Sequence, residues 1–220
     1  VRDLHTSIPK LVQFKQQWQS DPRARGEVAL GAPDRKGKAP GLGFRWDAIR
    51  FSHKVYAVCH AAQDTNADVL FWMDADMVCH SPITLDFIAS QMPPGVGLAY
   101  LGRERKFTEC GLYGINLRDE TTRLWLAEFQ LAYDSGRLMT MSEWNDCWVF
   151  DQTRNEVKAQ YPDWQLWNWS EGLIRGEGHP LINTAWGAYL DHLKGRRKDQ
   201  GRSLLKDLLR PRHESYWNQR

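Results

Sequence analysis

The chain contains an apolar run that ends in two closely spaced carboxylates, and few folds accommodate both. Residues Val69–Met73 are apolar throughout, which predicts a strand buried on both faces, and Asp74 and Asp76 follow its C-terminal end. Strand alternation places both carboxylates on one face, or on one rim if the chain turns there. Because carboxylates this close repel each other, the pair predicts a divalent cation such as Mg²⁺ or Mn²⁺. An ordinary acidic turn is the alternative.

Composition indicates one ordinary domain without a membrane-spanning segment. The 220 residues carry a net charge of +2, which does not favour nucleic acid as a partner. No apolar stretch approaches the ~18 residues of a transmembrane helix, although the basic residues in 196–212 leave room for peripheral contact with a membrane surface. Four scattered cysteines without a CxxC pair favour reduced thiols and a cytoplasmic location over a structural zinc site.

Predicted helices and strands alternate along the chain, which indicates an α/β fold. The pattern predicts, in chain order, helices at 3–20 and 46–63, a strand at 69–73, a helix at 84–91, strands at 96–100 and 111–117, helices at 121–133 and 145–158, a strand or turn at 179–186 and a helix at 203–209. Residues 22–43, rich in Gly, Pro, Arg and Lys, predict a mobile loop. No convincing strand precedes Val69, so either the first strands of a nucleotide-binding domain are missing or the fold is abbreviated.

A second motif follows far along the chain, where His192, Gly195 and Lys198 form the pattern HxxGxxK. Imidazole is a good ligand for ions such as Mn²⁺, and a glycine allows the backbone to approach a phosphate closely. The lysine can neutralise a leaving diphosphate. The pattern is weak alone, but it becomes specific when it accompanies an acidic pair after a buried strand.

Together the two motifs resemble those of the GT-A-type glycosyltransferases, most closely the glycogenin-like and lipopolysaccharide-galactosyltransferase-like enzymes, over residues 44–198. The resemblance implies a Rossmann-like nucleotide-sugar-binding domain with a mixed sheet at residues 1–200, followed by a basic tail with a short helix at 201–220. It also implies a set of site residues: Asp74, Asp76 and His192 as ligands of Mn²⁺ or Mg²⁺, and Lys198, Gly195 and Asp74 close to the donor and its diphosphate.

Further residues are candidates because of their positions relative to these motifs. Lys54, on the helix before the strand, lies where such enzymes place a basic residue near the donor, with a solvated lysine as the alternative. Glu109 is a candidate for a donor or acceptor contact, or belongs to an exposed loop. Asp146 is a sugar-binding carboxylate or a helix cap. Three tryptophans near the predicted site could stack on a sugar or pack in a core: Trp144, Trp148 and Trp186.

The activity that the resemblance implies is metal-dependent transfer of a hexose from a nucleoside-diphosphate sugar, a UDP-sugar above all, to a hydroxyl of a glycan or another acceptor. The HxxGxxK subgroup implies retention of the anomeric configuration. Inversion would need a carboxylate base at the acceptor, which Asp146 or Glu109 could supply. Two alternatives stay open. One is a phosphatase of the haloacid dehalogenase type, which needs a later strand that ends in an acidic pair, and the other is a sugar- or nucleotide-binding module without catalysis.

Overall fold

The computed structural model of the chain describes residues 3–27, 43–104, 106–173, 179–195 and 197–218. Most of the loop predicted at 22–43 lies outside these residues. Within the described ranges, no helix combines the length and the apolar character that a membrane span requires. The chain divides into two compact units, the first formed by Val1–Ala67 and Arg123–Pro162 and the second by Asp68–Thr122 and Asp163–Arg220.

Helices and strands alternate in the described residues, so the protein is a mixed α/β protein, as predicted. The helices are α1 (Leu4–Ser7), α2 (Pro9–Trp18), α3 (Ala48–Gln63), α4 (Leu85–Ser90), α5 (Glu120–Asp134), α6 (Asp146–Gln160), α7 (Arg197–Gln200) and α8 (Ser215–Asn218). The strands are β1 (Val69–Met73), β2 (Met77–Cys79), β3 (Leu98–Tyr100), β4 (Leu112–Asn116), β5 (Leu166–Asn168) and β6 (Leu190–His192).

Two of the predicted helices differ from the structure. The helix expected over 3–20 is interrupted because Pro9 has no N–H to donate and restricts the backbone of Ile8. Helix α1 therefore ends at Ser7, and α2 begins with Pro9 at its first position. The helix expected at 203–209 is reduced to a 3₁₀ turn at Leu205–Asp207.

Helices α1, α2, α3, α6 and most of α5 form the first unit, whose core is rich in aromatic side chains. Phe14 and Tyr133 are buried with ring centroids 5.5 Å apart, and the edge of Tyr56 meets Tyr133 at 6.3 Å. The hydroxyl of Tyr56 donates a hydrogen bond to Asp134 at 2.8 Å, so this buried phenol has a partner. Aromatic packing of this kind accounts for several of the protein's many aromatic residues.

The second unit contains a mixed sheet of four strands with the order β1-β4-β3-β5. Strand β4 runs antiparallel to both β1 and β3, while β3 and β5 are parallel. Strand β1 lies at the sheet edge, its residues are partly buried, and Met73 is 50% exposed. The prediction that this strand is buried on both faces is therefore wrong, because side chains on both of its faces keep part of their surface exposed.

A second, two-stranded sheet joins β2 and β6, which are far apart in the sequence. Their antiparallel register places Met77 opposite His192 and Cys79 opposite Leu190. Of the strand or turn predicted at 179–186, the structure has the turn, as two 3₁₀ turns at Leu181–Asn183 and Ala185–Ala188, and β6 begins later at Leu190. Apolar side chains from both sheets and these turns share one buried cluster: Leu101, Leu112, Leu181, Trp186 and Leu190.

The C-terminal segment, residues 203–217, is fastened to β6 by hydrogen bonds. The fully buried carboxylate of Asp191 accepts from the backbone N–H and the hydroxyl of Ser203, both at 2.6 Å, and from the hydroxyl of Tyr216 at 2.9 Å. The indole N–H of Trp217 donates to the carbonyl of Gly187 at 2.9 Å. Three donors on one buried carboxylate satisfy its charge, so this segment is attached to the second unit at Ser203 and Tyr216.

Candidate metal centre

The two aspartates lie on a turn that follows β1 directly. The backbone N–H of Asp74 donates to the carbonyl of Gly111 at 2.8 Å, and the N–H of Met77 donates to the carbonyl of Asp74 at 3.1 Å. The indole N–H of Trp72 donates to Oδ1 of Asp74 at 2.7 Å. The chain thus turns at the end of the strand, and both carboxylates lie on the rim, with the Asp74 and Asp76 side chains 23% and 29% exposed.

His192 reaches the same rim from β6. Its Nε2 atom lies 3.0 Å from Oδ1 of Asp76 and 3.9 Å from Oδ2 of Asp74, and its side chain is 1% exposed. The N–H of Leu193 also donates to the carbonyl of Asp76 at 2.9 Å, which fixes the two segments together. The structure therefore brings together the three predicted metal ligands. Two carboxylates and an imidazole suit a divalent ion such as Mn²⁺.

A glycine makes room for the His192 ring. A Cβ atom at Gly111 would lie 2.6 Å from Cε1 and 2.8 Å from Nδ1 of His192, distances that real Cβ atoms essentially never show. The sequence indicates that a ligand or backbone could approach this glycine, but it does not identify the neighbour. Because His192 is buried and cannot move away freely, any side chain at position 111 would displace the imidazole. The observed position of the ring therefore requires glycine here.

Lys198 is returned to the site by a turn after β6. Gly195 has φ +63°, a conformation that glycine adopts without strain, and the N–H of Lys198 donates to the carbonyl of Gly195 at 3.1 Å. The Nζ atom of Lys198 lies 3.0 Å from Oδ2 of Asp76, and its side chain is 55% exposed. Burial raises the pKa of Asp76, but the hydrogen bond from Lys198 and the charge of His192 outweigh burial and lower it. Asp76 is therefore ionised.

Glu109 lies beside His192 and is 3% exposed, so it does not belong to an exposed loop. Its Oε1 atom is 3.1 Å from Nζ of Lys194 and 3.9 Å from Nδ1 of His192, and its Oε2 atom is 3.6 Å from Nη1 of Arg103. Burial raises the pKa of Glu109, but the surrounding basic groups, Lys194 first among them, lower it to about 2. Glu109 is thus a buried, ionised carboxylate.

His179 joins this group, although no sequence motif pointed to it. It is 4% exposed, and its ring meets that of His192 edge to face with centroids 4.9 Å apart. Burial lowers the pKa of His179 to about 4, so the imidazole is neutral at neutral pH. Within the described part of the chain, neither ring nitrogen of His179 has a hydrogen-bond partner.

Lys54 and Asp146 both belong to the first unit, where they form a buried ion pair. The Nζ atom of Lys54 lies 2.7 Å from Oδ2 of Asp146, with the side chains 14% and 1% exposed. The solvated-lysine alternative is therefore wrong. Asn145, and not Asp146, provides the cap of α6, since its side chain accepts from the N–H of Trp148 at 3.0 Å. Asp146 lies in the first turn of α6, where the helix dipole interacts favourably with a negative charge.

The three tryptophans offered as sugar contacts have different environments. Trp144 and Trp186 are each 3% exposed, so they pack in cores and cannot present a face to a sugar. Trp148 is partly buried and stays a candidate.

Comparisons of the chain with protein-family models, with curated proteins and with solved structures found no match. The assignment of a function therefore depends on the residues and contacts described above.

Proposed function

We propose that this chain is a metal-dependent glycosyltransferase of the GT-A type, which moves a sugar from a nucleoside-diphosphate sugar to an acceptor hydroxyl. The observation that carries the proposal is the meeting of the two motifs at Asp76. One of its oxygens lies 3.0 Å from Nε2 of His192, and the other lies 3.0 Å from Nζ of Lys198. Asp76 and His192 belong to two motifs that resemble those of one enzyme family, and His192 follows Asp76 by 116 positions in the sequence. Both motifs thus contact the same carboxylate.

Asp74, Asp76 and His192 would hold the cation, because their oxygen and nitrogen donors suit Mn²⁺ or Mg²⁺. When bound, the ion would supply positive charge that stabilises the leaving diphosphate. Lys198 now neutralises Asp76, and its half-exposed side chain can leave that carboxylate once a cation replaces it. Its ammonium group then becomes available to a phosphate oxygen, as the lysine of the motif requires.

The other two carboxylates offered as catalytic groups are Glu109 and Asp146, and both are buried and paired with lysines. A general base must lie within hydrogen-bond reach of the proton that it removes. To act on an acceptor hydroxyl, either carboxylate would have to give up its lysine, at the cost of a buried ion pair. The proposal therefore adopts the retaining reaction that the resemblance implies, with a UDP-sugar as the expected donor and a glycan or another hydroxyl compound as the acceptor.

Sheet topology gives no support to the phosphatase alternative, which needs a later strand that ends in an acidic pair. Strand β4 is followed by Asp119 and Glu120, but it runs antiparallel to β1, with Leu112 opposite Met73. The acidic pair therefore follows the end of β4 that lies away from Asp74. Asp119 also accepts a hydrogen bond from the N–H of Thr122 at 2.7 Å, the role of a helix cap.

Thermal unfolding with UDP, GDP and CDP, each with and without Mn²⁺, tests the proposal. We expect stabilisation only when a nucleotide and Mn²⁺ are both present, because a ligand that binds the folded state alone raises the unfolding temperature. Asp76→Asn is expected to abolish this stabilisation. Asp68→Asn is the matched control, since Asp68 is 71% exposed and lies just before β1. The absence of stabilisation by any nucleotide would overturn the proposal.

Catalysis is tested separately with a panel of nucleotide sugars. We expect slow Mn²⁺-dependent hydrolysis of one of them, lost in Asp76→Asn and kept in Asp68→Asn. Stabilisation by a nucleotide without hydrolysis or transfer would indicate a binding module instead. Trapping of Asp74 by a fluorophosphate mimic, with no response to nucleotides, would indicate the phosphatase.

A further inference from the structure

Behind the candidate ligands lies a second group of buried donor atoms, formed by Glu109, His179 and His192. One donor atom from each residue lies within 4.8 Å of the others. The three side chains belong to residues that are 3%, 4% and 1% exposed. The proposed glycosyl transfer uses His192 but gives no role to His179, so this group needs an explanation of its own.

The contact between His192 and Asp76 determines which imidazole nitrogen can serve this group. An ionised carboxylate only accepts hydrogen bonds, so Nε2 of His192 carries the proton in its 3.0 Å contact with Asp76. In the neutral form of this imidazole, the lone pair is then on Nδ1. That atom is buried without a hydrogen-bond partner in the described residues and lies 3.9 Å from Oε1 of Glu109.

His179 adds two more unpartnered nitrogens to the same place. A buried polar atom without a partner is costly, and native structures rarely leave one unexplained. Both nitrogens of His179 and Nδ1 of His192 are in this state among the described residues. An imidazole in its neutral form offers one lone pair to a cation. One nitrogen from each of the two imidazoles, together with the Glu109 carboxylate, gives the kind of donor set that a borderline transition metal prefers.

Of the two cations beside Glu109, Lys194 can be replaced, while Arg103 stays 3.6 Å from the other carboxylate oxygen, Oε2. The closest cation to Glu109 is the Nζ atom of Lys194, 3.1 Å away, and the Lys194 side chain is 54% exposed. A half-exposed lysine can move into solvent at small cost when another cation takes its place. Lys194 therefore has the same relation to Glu109 that Lys198 has to Asp76.

We infer that Glu109, His179 and Nδ1 of His192 form a second cation site, selective for a borderline divalent metal such as Zn²⁺ or Co²⁺. Ligand atoms in a tetrahedral zinc site are about 3.4 Å apart, so donors within 4.8 Å of one another need only a modest approach. Since a neutral His192 has one lone pair, this buried site and the Asp74–Asp76 site exclude each other. The inference does not depend on sugar transfer.

A variant that lacks the outer carboxylates, Asp74→Asn with Asp76→Asn, isolates the buried site. Titration with Co²⁺, followed by its visible absorption bands, is expected to show one bound ion. Adding His179→Phe should weaken binding by at least about 10-fold, and Lys194→Ala should tighten it because the competing ammonium is gone. Lys198→Ala is the matched control, because Lys198 pairs with Asp76 and not with Glu109.

The inference is overturned if the outer-carboxylate variant binds no Co²⁺, if His179→Phe binds it as tightly, or if Lys194→Ala weakens binding. The Lys194 result is decisive even if His179→Phe fails to fold, because Lys194 is half-exposed. In the wild-type protein, Zn²⁺ and Mn²⁺ are expected to compete, so that each raises the apparent Kd of the other, because the two sites exclude each other. His179→Phe should keep the Mn²⁺-dependent response to nucleotides, which separates failure of this inference from failure of the proposed function.

Discussion

The two units bury charge in different surroundings. In the first unit, Lys54 on α3 and Asp146 on α6 form an ion pair, and both side chains are largely shielded from solvent. In the second unit, Asp76 and Glu109 are paired with lysines that are more than half exposed. A partner that is itself buried cannot leave without a large penalty, whereas an exposed lysine can. The first arrangement stabilises a fold, and the second leaves carboxylates that a ligand can take over.

The largest effect is expected from removing one partner of the pair in the first unit. Asp146→Ala removes the carboxylate that lies 2.7 Å from the buried Lys54 ammonium, which should lower the free energy of unfolding by about 3–5 kcal/mol. The measurement is urea denaturation. The double variant Lys54→Met with Asp146→Leu should recover most of the loss, because neither charge is then buried. A small loss of stability together with loss of the stabilisation by nucleotide and Mn²⁺ would instead indicate that Asp146 contributes to nucleotide binding.

A pH effect of slightly smaller size is expected from the second unit. Burial lowers the pKa of His179 from its ordinary value of 6.5 to about 4. Between pH 4 and pH 6.5, the unfolded chain therefore binds a proton at His179 that the folded chain does not bind. Stability should therefore fall as pH drops from 6.5 to 4, by about 3 kcal/mol for this group alone.

The matched variant for this pH effect is His179→Phe, which should show a shallower loss of stability over the same range. Burial also lowers the pKa values of His53 and His80, and these contributions are common to both proteins and cancel in the difference. Equal slopes in denaturation experiments at several pH values would show that His179 takes up a proton while folded.

Gly111→Ala should reduce Mn²⁺ affinity by about 10-fold, because the new methyl group displaces the His192 ring. The control is Gly114→Ala on β4, where a Cβ atom would meet the flexible side chain of Met92 at 2.8 Å and not His192. Mn²⁺ titration by electron paramagnetic resonance measures both. Equal losses in the two variants would attribute the effect to the sheet and not to the imidazole.

The smallest effect is expected at Gly195, where φ is +63° and an added Cβ atom meets nothing within 4 Å. Gly195→Ala should cost about 1 kcal/mol of stability from backbone strain alone. Gly195→Asn should cost less, since asparagine tolerates this conformation. Urea denaturation measures both changes. If Gly195→Ala were more stable than the wild type, the left-handed turn after β6 would be refuted.

The sequence pointed to Asp74, Asp76 and His192, which the structure brings together, because they lie in motifs of fixed spacing. Strand β1, the turn with Asp74 and Asp76, and the HxxGxxK segment could all be located before the structure. What could not be predicted is how β2 and β6 pair, because strands of three residues carry too little periodicity and the pairing joins distant segments.

His179 and the ion pairs were missed for a related reason. His179 stands alone before Pro180 without a spacing that marks a ligand, and only the tertiary fold brings it to His192. Likewise, residue type alone made Lys54 and Asp146 candidates, but it could not show that they contact each other. Burial and partner choice are tertiary properties, so a single sequence leaves them open.

The hydrogen bonds at Asp191 have a consequence for the order in which this molecule is completed during synthesis. Strand β6 leaves the ribosome before Ser203 and Tyr216, the residues that satisfy its buried carboxylate. Until those residues emerge, the Asp191 carboxylate lacks these hydrogen-bond donors. The position of its neighbour on β6, His192, is then less well defined. The cation-binding part of the second unit is therefore expected to form only after residues 203–216 have been synthesised, whereas helices α2 and α3 are available to pack before then.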